Sequence, residues 1–70
     1  MRFRIVQGRR TKKVIEGTLD EAIDEAKQIL RRTPTVNWLV YPVLIWEDGR
    51  NVWVAVLTDD ANAISVHHLA

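Results

Sequence analysis

Between Val36 and Leu57 nearly every residue is β-branched, aromatic or leucine, broken mainly by Glu47, Asp48, Gly49 and Arg50. Two such runs joined by an Asp-Gly turn signal read as a β-hairpin. With Asp48 and Gly49 as the two loop residues, Glu47 pairs with Arg50, Ile45 with Val52, Leu44 with Trp53 and Val43 with Val54. One face of the hairpin then carries Leu39, Tyr41, Val43, Ile45, Val52, Val54 and Val56. The other carries Trp38, Val40, Pro42, Leu44, Trp46, Trp53, Ala55 and Leu57, which places all three tryptophans on one side. Strands that are apolar on both faces need cover on both. Pro42 has no backbone N–H for a ladder, so its strand is expected at an edge or at a bulge.

One helix is available to supply that cover. Thr18 followed by Glu21 is a capping box, in which hydroxyl and carboxylate each satisfy an orphan backbone N–H. Leu19, Ala22, Ile23, Ala26, Ile29 and Leu30 recur at helical spacing and form a single apolar stripe. Asp20, Glu21, Asp24 and Glu25 occupy the early turns, with Lys27, Arg31 and Arg32 in the last, as the helix dipole favours. Pro34 marks the stop.

Upstream, Phe3 to Gln7 reads as a strand with Phe3 and Ile5 on one face and Arg2, Arg4 and Val6 on the other. A polar turn over Gly8 to Lys12 leads into a second strand from Lys13 to Glu16. After a turn at Asp59 to Asn62, Ala63 to His68 reads as a short final strand. The chain is thus expected to be α+β and β-grasp-like, ββαββ(β), with one helix packed on a mostly antiparallel sheet of four or five strands. This order, with the third strand at an edge, resembles the small β-grasp domains of bacterial immunoglobulin-binding proteins over roughly residues 3 to 57. The resemblance rests on topology and the capped helix, and it carries no binding residues across.

Seventy residues make a single domain spanning 1–70, without internal repeat or linker. A core of this size buries only ~60% of the surface its unfolded chain exposes. There is no cysteine, so neither a disulfide nor a thiolate metal site can supplement it. Oligomerisation is the remaining common device. Together with the two-sided apolar hairpin it leads us to expect a homo-oligomer, a dimer first. The N-terminus lacks the apolar stretch of a signal peptide, and the longest apolar run, Trp38 to Trp46, is far short of a membrane span. A cytoplasmic protein with no membrane association is expected.

Several chemistries find little footing. Ser65, His67 and a nearby Asp59 or Asp60 are triad residue types without an oxyanion hole or nucleophile turn, so no enzyme is expected. His67 and His68 are adjacent in a strand and point to opposite faces, which prevents them from chelating one ion together. Gly8, Gly17 and Gly49 sit at turns without a phosphate-loop pattern, and no cofactor is expected.

Two features could carry binding. The net charge of +1 conceals Arg2, Arg4, Arg9, Arg10, Lys12 and Lys13 before the first acid, a basic hairpin that could hold an anion or phosphate. Its plainer reading is a solvated turn with a charged edge. The second feature is the tryptophan face, with Trp38, Val40, Leu44, Trp46, Trp53 and Leu57 as interface or stacking residues. Its plainer reading is core or an oligomer contact. The leading expectation is a non-enzymatic module that binds a partner protein, in an inhibitor, antitoxin-like or adaptor role, through its apolar face or an edge strand. The alternative is a nucleic-acid or nucleotide binder, which gains weight if Arg2 and Arg4 share a face with the tryptophans. A structural subunit or designed scaffold is a third class.

Overall fold

A computed structural model of the chain describes residues 1–33, 41–60 and 63–69. Five strands and one helix follow in the order β1 (Arg2–Gln7), β2 (Arg10–Glu16), α1 (Leu19–Arg32), β3 (Val43–Glu47), β4 (Val52–Asp60) and β5 (Ala63–His68). The strands form one open antiparallel sheet in the order β2-β1-β3-β4-β5, and α1 packs on it over β3, β4 and β1. β3 therefore lies at the sheet centre rather than at an edge, and the β-grasp assignment is not confirmed. Pro42 stands just before β3, exposed and outside the ladder, so it costs no sheet hydrogen bond.

The helix forms as its pattern requires. The Glu21 backbone N–H donates to Thr18 Oγ1 at 3.2 Å, and the Thr18 N–H donates to Glu21 Oε1 at 3.4 Å, completing the capping box. Gly17 precedes it at φ +157°, a conformation that L side chains rarely adopt, and an added Cβ would lie 2.8 Å from the Glu21 carboxylate and push it out of its capping position. Ala22, Ile23, Ala26 and Leu30 are buried, while Leu19 and Ile29 pack at the margin. The helix ends at Arg32, with Thr33 as C-cap; Pro34 lies outside the described residues.

Each hairpin carries one extra residue in its ladder, and the second also departs from its expected register through a longer loop. In the first, Gln7 pairs with Arg10 across a two-residue Gly8-Arg9 turn, with Gly8 at φ +64°, the first-position glycine of a type II′ turn. β2 thus begins at Arg10 rather than Lys13, and Lys12 is the bulged residue between the pairs Ile5–Lys13 and Val6–Thr11. In the second, the loop is not Asp48-Gly49 but the four residues Asp48 to Asn51, closed by Asn51 at φ +52°. Glu47 pairs with Val52 and Trp46 with Trp53, then the register shifts so that Ile45 pairs with Ala55. Val54 is the extra residue. A one-residue bulge reverses the sidedness of everything beyond it. Ala55 and Leu57 therefore enter the core, and Val56 moves to the opposite face.

The core consists of Phe3, Ile5, Val43, Ile45, Val54, Ala55 and Leu57 under the helix residues. Two polar side chains are buried with it. Gln7 Nε2 donates to Thr33 Oγ1 at 3.0 Å and to the Tyr41 carbonyl at 3.1 Å, tying β1 to the helix end and to the approach to β3. Thr33 Oγ1 donates to the Ile29 carbonyl at 2.8 Å. Glu47 is paired with the Nε of Arg50 from its own loop. Among the described residues no buried side-chain nitrogen or oxygen lacks a partner.

Thr18→Ala is expected to lower unfolding free energy by about 1 kcal/mol through loss of the cap. Ile23→Ala should cost about 2 to 4 kcal/mol by opening a cavity under a small sheet. Urea denaturation followed by circular dichroism measures both, and equal, negligible effects would mean that α1 is not docked as described.

Candidate functional site: the outer sheet face

With α1 on one side, the opposite face of the sheet is left without a covering element among the described residues. Strand alternation builds this face in registered rows. One row runs Val14, Arg4, Trp46 and Trp53 across β2, β1, β3 and β4. The next runs Thr11, Val6, Leu44, Val56 and His67 through all five strands. Thr58 and Ser65 are paired beyond them. The bulge at Val54 puts Val56, and not Leu57, in the second row.

Apolar content is concentrated in the middle. Val6, Leu44, Trp46 and Val56 are half-buried by their neighbours, while Val14 and Trp53 are 44% and 41% exposed. The two indoles meet edge to face, with ring centroids 5.0 Å apart and planes at 75°. This is a favourable aromatic geometry. Arg4, Val6, Thr11, Trp46 and Trp53 line a shallow depression of about 240 Å³.

Charge sits at one end of the face. Asp48, drawn over β1 by its backbone N–H bond to the Arg2 carbonyl, places its carboxylate 2.9 Å from Arg4 Nε and 3.5 Å from Arg2 Nε. One carboxylate thus faces two guanidinium groups and partly neutralises them. Sequence reasoning overlooked Asp48 as anything but a turn residue. Its position follows from the β1–β3 register, in which Phe3 faces Glu47 and Arg2 therefore lies beside Asp48, and no local signal in the sequence encodes that pairing.

The sequence-derived site residues are dispersed. Arg2 and Arg4 share the face of Trp46 and Trp53, but Lys13 projects to the other side and its Nζ bonds Glu25 Oε2 of α1 at 3.0 Å. Arg9 is at the hairpin tip, and Arg10 and Lys12 belong to the edge strand. Lys12 and Lys13 line a separate cleft of about 410 Å³ with Arg32, Glu25 and Gln7, between β2 and the helix. Leu44, Trp46 and Trp53 lie on the outer face; Leu57 is fully buried in the core, displaced there by the bulge. Trp38 and Val40 lie outside the described residues.

Ser65 and His67 do share the outer face, whereas Asp59, opposite Ile64, alternates to the other side. His67 and His68 point to opposite faces, and no group of three metal-binding side chains occurs among the described residues. Among the same residues no helix is long and apolar enough to cross a membrane. No family model, no curated protein and no solved structure matches the chain.

Trp46→Ala is expected to destabilise the fold by roughly 2 to 3 kcal/mol, because the ring is half-buried at the sheet centre. Trp53→Ala, which removes a more exposed ring and one edge-to-face contact, should cost only about 0.5 to 1.5 kcal/mol. Chemical denaturation of the two variants tests this order, and a reversal would mean that the outer face is packed differently.

Proposed function

We propose that the protein is a small non-enzymatic binding module that acts as a homo-oligomer and engages a partner protein through its outer sheet face. The observation that carries this reading is the registered apolar centre formed by Val6, Leu44, Trp46, Trp53 and Val56 opposite the helix-covered side. Aromatic rings with arginines at the rim match the composition of protein–protein hot spots. A contiguous apolar patch on a small domain also carries an aggregation hazard that a partner would remove. Asp48 favours a protein over a polyanion as that partner. It neutralises part of the Arg2 and Arg4 charge and leaves contact there dependent on shape and burial.

Photo-crosslinking in the native cell tests the reading. With a photoreactive side chain in place of Trp53, adducts to a discrete protein should form and persist at raised salt, since an apolar interface is little screened. The same group at Asp24 on the exposed side of α1 should give none, and the Trp53 adducts should fade when Leu44→Ser is added. Equal labelling from Asp24 would overturn the assignment of the face.

A second reading has its own observation: Arg4 is paired with Trp46 in the row that continues to Trp53, and these three line one depression. Interleaved cations and rings suit stacked bases with neighbouring phosphates. On this reading a single-stranded oligonucleotide binds at low salt and is released steeply as salt rises. Asp48→Asn strengthens that binding by releasing Arg2 and Arg4, and glutamine at Arg9, Arg10, Lys12 and Lys13 weakens it. No oligonucleotide binding at low salt would eliminate this alternative.

A further inference from the structure

We infer that two copies of the chain join by antiparallel pairing of their β5 strands about a two-fold axis at Val66, making one continuous sheet from two. The inference deepens the homo-oligomeric part of the proposed function, and rests on it, by naming the interface. An open five-stranded sheet has two edges, and here they are unlike. β2 presents Arg10, Lys12 and Lys13 and is kinked by the Lys12 bulge, which are two of the devices that keep an edge from pairing. β5 has neither. It contains no Lys, Arg, Asp, Glu or Pro, and its register with β4 runs unbroken from Ala63 to His68.

Backbone direction gives the pairing its geometry. The Leu69 N–H donates to the Val54 carbonyl at 3.0 Å, so Leu69 faces β4. In an antiparallel ladder alternate residues turn their N–H and C=O to the same side. His67, Ser65 and Ala63 therefore also face β4, and Ile64, Val66 and His68 present theirs to the open edge, where no described segment pairs with them. A two-fold at Val66 sets Val66 against its own copy and Ile64 against His68 on each side. That register engages all three outward-facing residues. A two-fold at Ser65 would leave His68 unpaired within the strand.

Burial points the same way. Ile64 and Val66 pack against the core border but remain only partly covered, because α1 lies over β3, β4 and β1. Pairing would bring Val66 side chains together and cover both residues. Charge selects the second copy: β2 against β2 opposes like cations, and β5 against β2 is a head-to-tail contact that propagates without closing. Pairing β5 with β5 closes at two copies and avoids both. It also leaves the two outer faces side by side for a partner.

Sedimentation equilibrium of the full chain with Val66→Pro, His68→Pro and Trp53→Ser variants tests the inference. Proline at 66 or 68 removes an N–H that points out of the sheet, so the fold should survive, as circular dichroism would verify. Should Val66→Pro unfold, His68→Pro, at an exposed strand end, decides. The expected result is a wild-type dimer of twice the 8.1 kDa chain mass. Its dissociation constant should rise about tenfold or more in the proline variants and stay unchanged in Trp53→Ser. A dimer indifferent to proline but dissociated by Trp53→Ser would put the contact on the outer face, overturning this inference while preserving the homo-oligomer. A wild-type monomer at high micromolar concentration would overturn both.

Discussion

Helix α1 is the one described element that lies on the sheet, and the arrangement of side chains follows from what it can cover. The apolar stripe of α1 lies over β1, β3 and β4. The residues beneath it are fully buried, whereas β2 and β5 at the flanks keep Ile15, Ile64 and Val66 only partly covered. Gln7 and Thr33 fix the position of the helix end over β1, and Tyr41 is drawn into the same cluster through its carbonyl. An element order with more helix could have sealed the second face. This chain has none to spare among its described residues, and the outer face is the consequence.

Which residues of β4 occupy that face depends on a single insertion in its ladder with β3. Without Val54 as an extra residue, Leu57 and Ala55 would project outward with Trp53, and Val56 would be core. The bulge instead lets Val54 and Ala55 both enter the interior, where each is essentially inaccessible. It also keeps Trp46 and Trp53 directly paired on the outer side, close enough for their edge-to-face contact.

Much of the fold is legible in the sequence because its signals are local. The Thr18–Glu21 box, the apolar stripe ending at Leu30 and the strand Ala63–His68 each depend on neighbours in the chain, and each is found where expected. Strand pairing is not local in that sense. The Asp48-Gly49 pair is a strong hairpin signal, but Asn51 adopts the positive φ that a longer loop needs, and Asp48 gains two arginine partners by reaching β1. The bulges at Lys12 and Val54 leave no mark in an alternation pattern when the residues around them are uniformly cationic or uniformly apolar. The central position of β3 was likewise hidden, since it depends on a pairing between β1 and β3 that no turn encodes. The shared face of Arg4 and Trp46 depends on that pairing too, which is why it could be stated from sequence only as a condition.

The basic run at the N-terminus shows how a charge pattern in sequence differs from a charge patch in space. Strand alternation sends Arg2 and Arg4 to the outer face and Lys13 to the helix side, and the turn carries Arg9 away at the tip. Of the six cations, three are occupied by Asp48 and Glu25. Arg10 and Lys12 remain along the free edge of β2, where a strand of RTKKVIE would otherwise offer open backbone groups to any extended chain. Their placement has a physical use that requires no anionic ligand. The contrast with β5, which contains no Lys, Arg, Asp or Glu, then becomes informative: one edge of the sheet is guarded by cations and the other is not, and that asymmetry underlies the β5 pairing proposed above.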